Sequence, residues 1–143
     1  MIMSKIFFSF FFFIFSVAAF PQPGLHGQYR LPNGLDVELF RTGDTWSGKI
    51  VGLNDFNGGQ VLDVKNPDKS RRNIPLKGLV IIRGLTYDPE EKIWTGGTMY
   101  APEKGMEFDL KITRRTPEGL EVVGSKLFLR KTLFWKRLTP SSS

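Results

Sequence analysis

His26 is the lone histidine of a 143-residue chain that contains no cysteine. Acid–base triads need an imidazole held by neighbouring groups. Transition-metal sites need several His, Cys or carboxylate ligands. One histidine near the start of the expected mature chain supplies neither and reads as an exposed imidazole. Asp55-Phe56-Asn57-Gly58-Gly59 opens like a calcium loop, but the bidentate acid due at the last ligand position is replaced by Asn66. Glu90 and Glu91 stand beside Lys92 in a turn, where solvated charge explains them. No glycine-rich phosphate loop precedes a helix. The residue types therefore assign no catalytic group, no metal site and no cofactor, and an enzyme is not expected.

The aromatic residues remain. Trp46, Trp94 and Trp135, with Tyr29 and Tyr100, all fall within runs that alternate apolar and polar residues. Small barrels fill their interiors with side chains, and core filling is one reading of these five. The other reading is a cavity whose walls include Trp46, Trp94 and Tyr100. Arg72 or Lys131 near its opening would hold an anionic head group, because ligand pockets join apolar walls to a few polar groups.

The elements that must position these residues are strands. In Met106 to Thr113, Met, Phe, Leu and Ile alternate with Glu, Asp, Lys and Thr, the period of a strand with one wet face. Fifteen glycines and nine prolines punctuate short runs of this kind, and Pro32-Asn33-Gly34 and Thr42-Gly43-Asp44 carry turn chemistry. The pattern predicts eight strands near 27–31, 35–41, 45–53, 79–87, 93–101, 106–114, 119–124 and 127–138. The fold class is all-β. Consecutive hairpins favour a single antiparallel up-and-down barrel, whose closure removes exposed edges. The long connection, 54–78, is too long for a hairpin and reads as functional or as a lid.

Within it, Asp63 to Leu79 carries a self-contained turn. Asn66 can bond backbone two residues on, Pro67 suits the second turn position, and Asp68 can cap a short helical turn through the backbone of Arg71. A corner explains these residues without a ligand. The basic cluster around Arg72 is not needed by a corner, and it suggests a rim position.

This segment, D-x-x-N-P-D-x-x-x-R-x-x-P-L-x-G-L, is followed by W-T-G-G-T-M-Y-x-P-x-x-G, G-L-E-V-x-G and K-T-L-F-W-K-R. The ordered set resembles the exported bacterial proteins of the domain-of-unknown-function 2147 family, over Gly27 to Leu138. The resemblance implies a lipocalin-like β-barrel and no established activity. Gly27-Gln28-Tyr29 and Trp135-Lys136-Arg137 also resemble the lipocalin closure, in which an Arg on the last strand stacks on a first-strand Trp. Tyr29 stands in place of that Trp, and Lys131 stands where an Arg is usual. The implied role of Tyr29, Trp135 and Arg137 is structural.

Export is read from the first residues. Lys5 precedes the apolar run Ile6 to Phe15, and Val17 and Ala19 suit a small-residue cleavage site. The expected organisation is a signal peptide at 1–19 and a barrel domain at 20–143, periplasmic or secreted, with no spanning segment after cleavage. Lys5 is the one charge in that leader, so the mature chain keeps nineteen of the 20 basic residues against fourteen acidic ones. An exported chain rarely meets nucleic acid, so the cationic excess points to a solvated exterior or to an anionic envelope surface. Two functional classes stay open. One is a barrel that binds a small hydrophobic or amphipathic molecule. The other is a structural or interaction module with a filled barrel and a basic exterior.

Overall fold

The alternating runs become the staves of a closed antiparallel barrel. The computed structural model describes residues 23–138, so the expected signal peptide at 1–19 lies outside the described residues. Eight strands follow one another round the barrel in chain order: β1 (Gly27–Arg30), β2 (Asp36–Thr42), β3 (Thr45–Gly52), β4 (Val80–Asp88), β5 (Ile93–Ala101), β6 (Met106–Thr116), β7 (Gly119–Lys126) and β8 (Leu129–Arg137). Closure is made by β1 against β8, with Tyr29 opposite Arg137 and Arg30 opposite Lys136. Every strand thus finds two partners, although the seam is short: β1 meets β8 only at its last residues, and the edge of β8 before Lys136 faces no strand.

Most strand limits lie within a residue of the sequence expectation; three differ by two, the first being the end of β6, at Thr116 and not at position 114. Strand β7 continues to Lys126, and β8 begins at Leu129 and not at position 127. Between them lies a tight turn in which Leu127 takes a left-handed φ of 56°. The turn was not legible because it contains no Gly, Pro, Asn or Asp, the residues that mark such φ values in sequence.

One buried cluster takes at least one side chain from each strand, among them Tyr29, Val37, Trp46, Ile82, Trp94, Leu110, Leu120 and Trp135. Small residues let this interior pack. A Cβ added to Gly97 would lie 2.6 Å from the Leu85 side chain, so Gly97 on β5 leaves the room that Leu85 occupies.

An up-and-down barrel has two rims. One carries the β2–β3, β4–β5 and β6–β7 turns, together with the chain entering β1 and leaving β8. Here the Tyr29 hydroxyl donates to the Leu25 carbonyl at 3.0 Å. The Arg137 guanidinium lies 5.0 Å from the Tyr29 ring centre, and His26 meets the Trp46 ring edge-on at 4.7 Å. The other rim carries the β1–β2, β5–β6 and β7–β8 turns and the long β3–β4 connection. That connection sends Phe56 and Leu76 into the buried cluster. It is tied to the β5–β6 turn by a hydrogen bond from Gln60 Nε2 to the Pro102 carbonyl at 3.4 Å.

Candidate functional site

The β3–β4 connection is organised around a buried carboxylate. Asp63 is 1% exposed. Its Oδ1 accepts from the Tyr100 hydroxyl at 2.7 Å, and its Oδ2 accepts from the Asn66 side-chain amide at 2.8 Å. Its own N–H donates to the Ile74 carbonyl at 2.9 Å. A buried charge is tolerated only when hydrogen bonds replace the water it has lost, and here each carboxylate oxygen has a donor. Burial, reinforced by the hydrogen bond to Asp63 and by its charge, pushes the Tyr100 hydroxyl well above the ordinary tyrosine range.

The turn beyond it closes through its own side chains. Asn66 Oδ1 accepts from the Asp68 N–H at 2.8 Å. Asp68 Oδ1 accepts from the Ser70 N–H at 3.0 Å and from the Ser70 hydroxyl at 2.7 Å. The side-chain cap therefore falls on Ser70, whereas the Arg71 N–H donates to the Asp68 carbonyl at 2.9 Å. The Ser70 hydrogen bonds hold the Asp68 carboxyl below its usual range. Arg72 Nε donates to the Asn66 carbonyl at 2.7 Å, so its guanidinium is used within the turn.

Between this connection and the barrel wall runs an open groove of about 510 Å³. Leu79, Val80, Ile81 and Met106 give it an apolar side, and Arg71, Arg83 and Lys126 bring three cationic groups to it. Two carboxylates also line it, Asp63 and Glu107, and Asp63 is already engaged by Tyr100 and Asn66. The volume falls in the range of about 300–1,000 Å³ that small-molecule sites occupy.

The five residues named for a ligand site are not brought together. Trp46 and Trp94 are buried, at 3% and 2% exposure. They lie beside the β2–β3 and β4–β5 turns, at the rim opposite the groove. Tyr100 leaves the other face of β5. The register explains why: Trp94 pairs with Ile112 and Gly97 with Leu110, with a bulge between the two pairs. That extra residue reverses the alternation, so Met99 points with Trp94 while Tyr100 points away to meet Asp63. Arg72 is turned back into its own loop. Lys131 is exposed and lies on β8 opposite Gly124, towards the β7–β8 turn. Tyr100 does line the groove, with Asp63, Asn66 and Pro67, and Asp68 stands beside them as the cap.

Sequence reasoning passed over Arg71, Arg83 and Lys126. Arg71 sits in the same basic cluster as Arg72, and spacing alone does not say which of the two folds back. Arg83 is the one charge in the apolar run Leu79 to Leu85, a signal available in the sequence. Lys126 has no such mark. Among the described residues no group of three His, Asp or Glu side chains is placed to hold a metal ion.

The model of a family of uncharacterized proteins conserved in bacteria (DUF2147) matches residues 27–137. The chain belongs to this family. The DUF2147 match covers the whole barrel, from the start of β1 to the end of β8. Among solved structures, the barrel is similar to protein HP1028 from Helicobacter pylori, described as belonging to the lipocalin family. The TM-score is 0.70 and the identity 24%, over 81% of this chain and 84% of that one. At that identity the likeness is one of fold. No curated protein matches the sequence. This DUF2147 chain is thus a lipocalin-like barrel whose β3–β4 connection builds a groove against the outside of the wall.

Proposed function

We propose that this protein acts after export as a non-catalytic carrier or sensor of one small amphipathic molecule with an anionic head, held in the groove beside the β3–β4 connection. The observation that carries this reading is the joining, in one groove of about 510 Å³, of an apolar side with Arg71, Arg83 and Lys126. An alkyl or ring portion would cover Leu79, Val80 and Ile81, while the head would accept hydrogen bonds from the guanidinium groups, the strongest neutral-pH donors for an anion. A lipocalin-like fold suits such a role, and the leader expected from the sequence at 1–19 supports an envelope setting for it.

Binding of a fluorescent fatty-acid probe tests the reading. Arg71→Ala should weaken binding about tenfold, the scale of a lost charged hydrogen bond, with little change in melting temperature. Arg72→Ala should do the reverse, because its bond to Asn66 holds the turn. If the two substitutions act alike on both readouts, the groove is not the site.

A second reading rests on the interior. Tyr29, Trp46, Trp94, Trp135, Phe56 and Leu76 lie together in one buried cluster, which favours a structural or interaction module with a filled barrel. Native mass spectrometry of protein purified from its own cells separates the two. A bound small molecule supports the carrier, and the bare mass of the mature chain supports the module.

A further inference from the structure

The β7–β8 turn is the least expected surface of the molecule. Leu127, Phe128 and Leu129 are 90%, 99% and 78% exposed, so three consecutive large apolar side chains stand in water at the tip of one hairpin. Single exposed apolar residues are ordinary, whereas a contiguous set marks a surface with a partner. The backbone supports this. Leu127 has a left-handed φ of 56°, a conformation that Gly or Asn would adopt at lower cost. Turn geometry therefore does not explain the apolar choice.

The hairpin's own charges next to the turn are of one sign. The adjacent strand β6 carries Glu107 and Asp109, and Lys126 Nζ donates to the Glu107 carbonyl at 2.9 Å. Lys126 precedes the three residues, Arg130 and Lys131 follow, and all three basic side chains are exposed. On the hairpin they cluster, because Lys126 pairs with Leu129, Ser125 with Arg130 and Gly124 with Lys131. An apolar wedge with a cationic collar matches the cross-section of an anionic bilayer surface, where hydrocarbon lies directly beneath negative head groups. A second copy of this chain matches it poorly, since pairing two such tips would bring like charges together on a protein of net charge +6.

We propose that the β7–β8 hairpin is a membrane-docking tip: Phe128 and its two leucine neighbours insert into the outer part of an anionic lipid leaflet, and Lys126, Arg130 and Lys131 contact the head groups. The barrel then stands on the bilayer at the rim that also carries the groove. Lys126 belongs to both surfaces. The proposal itself rests on the hairpin alone and does not require a ligand in the groove.

The test uses the mature protein with vesicles of phosphatidylcholine alone, or of phosphatidylcholine and phosphatidylglycerol in equal parts. Wild-type protein should co-sediment with the anionic vesicles and far less with the neutral ones, and salt should weaken binding. Phe128→Ser should reduce partitioning at least about tenfold, and each of Lys126→Gln, Arg130→Gln and Lys131→Gln about fivefold. Phe128 is fully exposed, so Phe128→Ser should keep the wild-type circular dichroism and melting temperature, which separates lost docking from lost folding. A reporter completes the test. All three native tryptophans are buried, so in Phe128→Trp the added indole is the one that meets solvent. Its emission should shift to the blue on anionic vesicles. Equal sedimentation of wild type and Phe128→Ser, or no shift from Phe128→Trp, overturns the proposal. So does a shift that appears without vesicles as protein concentration rises, which would assign the tip to a second copy.

Discussion

Tyr100 and Asp63 show how one pair of side chains fixes a loop that strand pairing leaves free. The carboxylate cannot stay buried without donors, and Tyr100 supplies one from β5. Tyr100→Phe should lower stability by about 1.5–3 kcal/mol at neutral pH, the scale of a hydrogen bond to a charged group. Asp63→Ala should cost more, because it strands both the Tyr100 hydroxyl and the Asn66 amide. The pair also predicts an alkaline limb. The Tyr100 hydroxyl is held above its ordinary range in the fold, so its contribution is complete below the unfolded value of about 10. It is lost as pH rises from there towards the folded value. Thermal melts across that range should fall less steeply for Tyr100→Phe than for wild type. Tyr29, also raised by burial, should preserve part of the slope. Parallel curves would mean that Tyr100 is not held protonated by Asp63.

The first and last strands join through few backbone bonds, and their side chains strengthen the seam. Tyr29 and Arg137 stand opposite one another across β1 and β8, with the guanidinium 5.0 Å from the ring centre. Such a contact contributes about 0.5–2 kcal/mol, and a tyrosine ring serves less well than tryptophan. A double-mutant cycle with Tyr29→Leu and Arg137→Met should give a coupling of at least about 0.5 kcal/mol. Additive losses would show that closure depends on the strands alone. The cycle matters because Tyr29→Leu also removes the hydroxyl bond to the Leu25 carbonyl, a loss that appears in the single mutant and cancels in the coupling.

For the molecule as a whole, the seating of the β3–β4 connection decides whether the groove exists. A Cβ on Gly105 would collide with the Lys65 carbonyl oxygen, and Gly105 already has a left-handed φ of 66°. Gly105→Ala should lift the connection from the β5–β6 turn while leaving strand pairing intact. Hydrogen exchange should then speed up across 54–78 and stay slow in β6 and β7, and probe binding in the groove should fall. Uniformly faster exchange would mean that the connection and barrel open together. Export is tested separately: N-terminal sequencing of protein from fractionated cells should find a start at Phe20 or Ala19, and an intact Met1 in the membrane fraction would overturn the leader.

The sequence by itself determined the strand number, their order and their closure. Period-two patterning and turn residues are local properties, and consecutive hairpins leave few ways to arrange the strands. The Asn66-Pro67-Asp68 turn was legible for the same reason, since its bonds span only a few residues. Tertiary structure alone decided where the rim side chains go. A single bulge in β5 reverses the alternation between Trp94 and Tyr100 and sends them to opposite faces of the sheet. The choice between Arg71 and Arg72 depends on a carbonyl presented by the folded turn. The apolar tip at Leu127 to Leu129 was read as strand because its residues favour strands; only the register of β7 against β8 places them at a turn. Pattern rules describe the middle of a strand well. At bulges and rims, packing against distant segments sets side-chain direction, and spacing along the chain carries no record of it.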